Sequence, residues 1–210
     1  MSKSNNYRVA KYLNGHILAS VDIETTGRLP GFHEIIQIGV VPLDSEFHPL
    51  PSVLPFYTNI APDYPERAEK NALIISGLEL DKLVKEALTQ VRVADLFCEW
   101  FDDLNLPLNK RLVPLAHNWA FESGFLKHWI GLETMDVIWQ GTARDSMIYA
   151  ASINDWYGTR GEKAPFRSLA LKNLCNQLNV TMVGNAHDAL NDALACAEVY
   201  QKLLQQYPCL

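Results

Sequence analysis

The segment Val21-Asp22-Ile23-Glu24-Thr25-Thr26-Gly27 decides how the chain reads. It closes a run rich in Ile and Val, residues 16–24, with the composition of a β-strand. Side chains two apart on a strand share a face, so Asp22 and Glu24 point the same way out of a segment that otherwise reads as buried. Neighbouring carboxylates in such a place repel each other unless protons or a cation neutralise them, and a divalent metal is the economical solution. The bland alternative is a strand end with two solvated acids. Thr25, Thr26 and Gly27 then form a turn whose backbone can approach a ligand closely.

Working outward, a turn containing Gly27, Pro30 and Gly31 leads to a second Ile/Val-rich strand over residues 34–43, and residues 55–60 supply a third. Leu96, Phe97, Trp100, Phe101 and Leu104 recur at helical spacing with acids between them, which predicts an amphipathic helix over residues 94–104. A strand over 112–116, a helix over 121–130 and a strand over 137–139 follow. A further helix starts at Ser168 as N-cap, and the last runs from about 188 to 204. Strands first, then helices alternating with strands, predict an α/β fold: a mixed sheet with one antiparallel portion, covered by helices. Residues 156–167, with Gly158, Gly161 and Pro165, read as a long loop.

A chain of 210 residues, 48% apolar and 10% aromatic, can bury one substantial core and fits one domain better than two. We expect a polar N-terminal segment over residues 1–15 and a single domain over 16–206. Eighteen basic against 24 acidic side chains give a charge of −6, which argues against a broad basic surface for long duplexes. Nucleic acid is not excluded, because cations held by carboxylates reverse the local sign where a phosphate sits. Cys98, Cys175, Cys196 and Cys209 show no CxxC spacing, so they predict neither a zinc site nor a disulfide framework but reduced thiols. Cys209 is second from the end and does not form a prenylation box. The first fifteen residues lack the apolar stretch of a signal peptide, and no apolar run is long enough to span a bilayer. A soluble cytoplasmic protein with no membrane partner is the expectation.

Two further segments carry chemistry. In His117-Asn118-Trp119-Ala120-Phe121-Glu122, a polar pair closes a strand before a helix with an acid in its first turn. Taken singly, Glu122 reads as complementing the helix dipole and Phe121 as core. In His187-Asp188-Ala189-Leu190-Asn191-Asp192, Asp192 lies among small apolar residues, an odd place for a charge without a partner. Asp188 and His187, taken singly, read as capping residues.

Together and in this order, Asp-x-Glu-Thr-Thr-Gly, His-Asn-x-x-Phe-acid and His-x-Ala-x-x-Asp resemble the DEDDh exonuclease superfamily over nearly the whole chain. Smaller echoes support it: Glu34-Ile35-Ile36-Gln37-Ile38-Gly39, Ile75-Ser76-Gly77-Leu78, Asp145-Ser146, and Ser168-Leu169 through Leu174-Cys175. The resemblance implies an RNase H-like fold, a five-stranded mixed sheet with three antiparallel strands and then parallel ones. It implies 3′-5′ removal of mononucleotides from single-stranded ends with two divalent cations, Mg2+ or Mn2+. Asp22, Glu24, Glu122 and Asp192 would be the metal ligands and His187 the general base, a task imidazole suits because it ordinarily titrates near neutrality. Thr25, Thr26, Gly27, His117, Asn118 and Phe121 would bind the terminal nucleotide.

Glu122 departs from the family's pattern, which has Asp there; its extra methylene moves the carboxylate about one bond closer to the metal, so that either it binds directly and favours tolerant Mn2+ over strictly octahedral Mg2+, or the second ion is held poorly and the rate falls. DNA is the favoured substrate. The alternatives are an exoribonuclease or oligoribonuclease, and a catalytically weak nucleic-acid-binding module. A polymerase or repair partner and a homodimer are further expectations from the family. The aromatic and basic residues Trp156, Tyr157, Arg160, Lys163, Phe166 and Arg167 suggest that the long loop steers a single strand.

Overall fold

The computed structural model describes residues 13–182, 184 and 187–207. The expected polar segment lies outside them except for its last three residues, as does Cys209. Among the described residues six strands form one sheet: β1 (Ile17–Thr25), β2 (Ile35–Leu43), β3 (Phe56–Ala61), β4 (Leu88–Thr89), β5 (Leu112–Ala116) and β6 (Arg144–Asp145), in the order β4-β3-β2-β1-β5-β6. The β1–β2 and β2–β3 pairs are antiparallel, and β3–β4, β1–β5 and β5–β6 are parallel. Seven α-helices accompany it among the described residues: α1 (Lys70–Ser76), α2 (Leu80–Glu86), α3 (Gln90–Asp103), α4 (Trp119–Ile138), α5 (Ser146–Thr159), α6 (Leu171–Leu178) and α7 (Ala189–Gln206).

This is the expected mixed α/β sheet with six strands instead of five. The difference lies at the edges, where β4 and β6 have two residues each, too few to show alternation. The strand expected over 137–139 is instead the tail of α4. That helix continues past a kink at Gly131 (φ 78°, ψ 160°) and buries Met135 and Ile138. Trp139 then makes a single parallel bridge to Leu112, and the true neighbour of β5 at its other end is β6. α6 starts at Leu171, with Ala170 as its cap; the Ser168 hydroxyl instead accepts from Asn173 Nδ2 at 2.7 Å.

The loop expected over 156–167 begins inside α5, and its remainder is fastened. Asn154 holds the Phe166 main chain through two hydrogen bonds (2.8 and 3.0 Å), Phe166 is buried, and Arg160 is engaged by Glu162 at 2.8 Å.

Every residue of β2 is buried, and β1 is buried apart from its two acids, because helices cover both faces of the central sheet. Phe97, Phe125, Leu126 and Trp139 fill one side, and Ala193, Cys196 and Ala197 of α7 fill the other. Among the described residues no helix is long and apolar enough to cross a membrane.

Candidate active site

The site forms at the carboxyl end of β1, beside its parallel neighbour β5, where open α/β sheets leave a crevice. Asp22 and Glu24 alternate with the buried Val21 and Ile23, so both carboxylates emerge on one face. Asp22 stands opposite Gly39 on β2. A Cβ on Gly39 would lie 2.6 Å from the Ala189 carbonyl group, so only glycine lets the first turn of α7 rest on the sheet here. Gln37 Oε1 accepts from the Ala189 amide at 2.8 Å, and Ser20 donates to the Ala193 carbonyl at 2.6 Å. These contacts deliver Asp192 to the two acids of β1.

Asp188 caps α7 by accepting from the Asn191 amide at 3.1 Å. His187 before it is exposed, has a positive φ of 64°, and donates its own amide to Asp192 Oδ2 at 3.2 Å. Glu122 occupies the first turn of α4 and is only 4% exposed. The start of that helix is held by Asp145, which accepts from the Trp119 amide at 2.8 Å and from Met147 and Ile148 at 3.0 Å each. One carboxylate thus caps α4 and α5 together and fixes where Glu122 sits.

The electrostatics of these acids follow from their sharing one space. Burial first, and then the neighbouring Glu24, Glu122 and Asp192, push the Asp22 carboxyl well above its ordinary range. Glu24 is raised to about 7 by burial and then by Asp192 and Asp188. Burial raises Glu122 to about 8, and burial also raises Asp192, opposed by the hydrogen bond from the His187 amide.

Glu122 Oε2 and Asp192 Oδ1 are buried without a hydrogen-bond partner among the described residues. Such orphans are expensive unless something neutralises them. Glu24, His187 and Asp192 also offer one ligand atom each within 4.8 Å of one another. Hard oxygen donors, mutual repulsion and orphaned carboxylate oxygens fit a divalent cation.

A cleft of about 970 Å³ opens over the cluster and is lined by Asp22, Glu24, Glu122, His187 and Asp192 together with Thr25, Gly27, His117, Asn118 and Phe121. Thr26 is turned inward and fully buried, where its hydroxyl accepts from the Glu34 amide at 2.9 Å. It shapes the turn and does not line the cleft. His117 uses both ring nitrogens, toward Ser146 Oγ (2.7 Å) and the Leu169 carbonyl (2.8 Å), and burial lowers its pKa. Asn118 has φ 129°, a conformation that non-glycine residues adopt at a cost and that recurs at functional sites.

Sequence reasoning missed the opposite wall, formed by Arg28, Glu69 and Asn71, Ala72 and Ile75 of α1. It also missed His33, whose Nδ1 accepts from the Leu29 amide at 3.0 Å, leaving Nε2 to face Glu69 at 3.4 Å. A Cβ on Gly27 would strike that ring at 2.5 Å, so the turn and α1 meet through His33. The only sequence signal for this wall was the echo at Ile75-Ser76-Gly77-Leu78.

A helix-covered mixed sheet with converging acids at the end of its central strand matches the RNase H-like fold of solved exonucleases. The sequence profile of the RNase T exonuclease family matches residues 20–200, and the chain belongs to that family.

The 3′-5′ DNA exonuclease Cap18 of Escherichia coli is 26% identical over 187 residues, 88% of this chain and 90% of that protein. Among solved structures, E. coli Exonuclease I in complex with a dT13 oligonucleotide superposes with a TM-score of 0.69 at 17% identity, covering 92% of this chain but 42% of that one. The nuclease domain of 3′hExo, a DEDDh family member bound to rAMP, gives 0.63 at 19% identity over 91% and 92%. Cell-death related nuclease 4 gives 0.64 at 17% identity over 96% and 66%.

Proposed function

We propose that this exonuclease works in the 3′-5′ direction, releasing mononucleotides from single-stranded ends, DNA in preference to RNA, with two divalent cations, Mg2+ or Mn2+. The observation that carries the reading is the convergence of Asp22, Glu24, Glu122, Asp192 and His187 in one cleft, with two carboxylate oxygens left unpartnered. Cap18, named for 3′-5′ action on DNA, supports the direction and the sugar. RNA is the alternative, favoured by the rAMP bound to 3′hExo. A weak binding module is disfavoured because no acid of the cluster is replaced by a neutral residue.

Asp22, Glu24, Glu122 and Asp192 would hold the cations, which supply electrostatic stabilisation of the attacking and leaving oxygens in an in-line displacement. His187 takes the proton from the attacking water and, being exposed, passes it to solvent. Asp192 fixes the main chain of that base through the 3.2 Å hydrogen bond. The Thr25–Gly27 turn receives the terminal sugar, and Phe121, packed against Phe125 at 4.9 Å, offers a ring to its base. Glu122 would offer an oxygen on a longer arm than Asp, from a side chain that is only 4% exposed.

The test is incubation of 5′-labelled single-stranded DNA and RNA with the protein in Mg2+ or Mn2+, beside Asp22→Ala and His187→Ala. Stepwise shortening from the 3′ end, faster on DNA and lost in both variants, is expected. Strands that stay intact in both metals while still being bound would transfer the protein to the binding-module reading.

A further inference from the structure

Beside the cleft lies a second concavity of about 560 Å³ whose rim carries Phe32, Tyr64 and Arg67. Phe32 and Tyr64 are 49% and 47% exposed, and the Arg67 side chain brings the two rings together. The Arg67 guanidinium lies over both, 3.8 Å from the Tyr64 centroid and 5.1 Å from that of Phe32. Glu66 reaches it at 4.0 Å on an exposed side chain, a pair that water screens. Nε is the atom that faces this carboxylate, which leaves the terminal nitrogens of the fork for an outside acceptor. A guanidinium that lies over aromatic rings and is still one-third exposed is placed to take a phosphate.

The stack is tied to the catalytic strand. Glu34 accepts from the Asp63 and Tyr64 amides at 2.9 Å each, and its own amide donates to Thr26 at 2.9 Å. The Glu69 amide donates to the Thr26 carbonyl at 2.8 Å, and Glu69 itself lines the cleft. Arg67 is two residues from Glu69, so their Cα atoms are at most about 7 Å apart. Of the nearby carboxylates, Glu34 is occupied by two amides and Glu69 by His33, while Asp63 and Asp95 line the same concavity without an ion pair to Arg67. In a chain of net charge −6, this is a cation next to the cleft presented together with ring faces.

We infer that Arg67, with Phe32 and Tyr64, forms a binding site outside the catalytic cleft for the single strand upstream of the nucleotide being removed. Arg67 takes a backbone phosphate, and the exposed rings stack on bases whatever their sequence. The inference rests on the exonuclease reading for its substrate, but its test does not depend on turnover. Two measurements decide it in the full chain.

The first compares kcat/KM on a long single-stranded oligonucleotide with kcat/KM on a chromogenic ester of a mononucleotide, which is too short to leave the cleft. In Arg67→Ala the long-to-short ratio is expected to fall about tenfold, through KM. Phe32→Ser should lower it in the same direction, and Arg67→Lys, which keeps charge but loses the planar fork, should fall between. The second is fluorescence anisotropy of a labelled single strand in Ca2+, where Arg67→Ala should weaken binding by a similar factor.

If wild type hydrolyses neither substrate, the exonuclease reading fails and the anisotropy alone decides the site. Equal ratios and equal binding in wild type, Arg67→Ala and Phe32→Ser would overturn it. Because the ratio is internal to each variant, a partly unfolded preparation does not imitate the effect.

Discussion

Tyr57 on β3 donates its hydroxyl hydrogen to the carboxylate of Asp188 at 2.5 Å, joining positions 131 residues apart at the start of α7. Gln37 Nε2 donates to the same phenol oxygen at 3.2 Å, so one polar network fastens β2 and β3 to the helix that carries Asp192. Burial and then Asp188 push the Tyr57 hydroxyl up to about 12, which keeps its proton in place through mildly alkaline pH. Tyr57→Phe should cost about 1 kcal/mol in urea unfolding. It should lower kcat more than KM, because what it loosens is the segment holding His187.

Glu122 gives the sharpest test of the acid cluster. Its Oε2 is buried and unpartnered, so Glu122→Gln should make the cation-free protein more stable while cutting activity by roughly a hundredfold or more. Glu122→Asp should keep activity within about tenfold and move metal preference from Mn2+ toward Mg2+, since the shorter arm suits the stricter octahedral ion. Metal titrations of kcat for the three proteins check both outcomes.

The raised carboxyls make stability depend on pH in a stated direction. Glu122 and Glu24 ordinarily titrate at 4.5, and in the fold at about 8 and about 7. Below pH 4.5 both states are protonated and no penalty exists. Between pH 4.5 and about 8 the unfolded chain ionises while the folded one holds its protons, so stability falls as pH rises, by several kcal/mol in order of magnitude. Thermal unfolding in EDTA should show a lower Tm at pH 8 than at pH 5. Added Mg2+ or Mn2+ should raise Tm far more at pH 8, since binding to the folded state alone is stabilising. An equal metal effect at both pH values would contradict the acid cluster as the binding site.

Gly39 predicts a different failure. Gly39→Ala drives a methyl group against the Ala189 main chain, which cannot rotate away, and should cost about 3 kcal/mol or more. Activity should fall further than stability alone explains, because α7 retreats from Asp22. Gly141→Ala, where a Cβ meets nothing within 4 Å, should change unfolding by less than about 0.5 kcal/mol.

Much of this arrangement is legible in the sequence because it follows local periods. Strands β1, β2 and β5 and helix α7 lie within a residue or two of where alternation and capping place them. Asp22 and Glu24 emerge from period two alone. Glu122 and His187 become interpretable only through the joint order of three motifs, since each by itself suits a helix end. Helices α1 and α2 have seven residues each, too few for a 3.6-residue period to stand out. α5 buries little besides Ser146, Ala150 and Ile153, so its pattern looks like loop. Tyr57, His33, Asp145 and Arg67 act through partners distant in sequence or on a neighbouring loop, and no periodicity announces such pairings.

The four acids are supplied by β1, α4 and α7, and the last of them, Asp192, arrives only when a helix near the end of the described chain settles on Gly39. Among the described helices α7 comes last in sequence, so the segment up to α6 carries only three of these acids, Asp22, Glu24 and Glu122. The full cluster is therefore a property of the docked domain and of no local segment: what loosens α7 from the sheet dismantles the site without touching any of its acids.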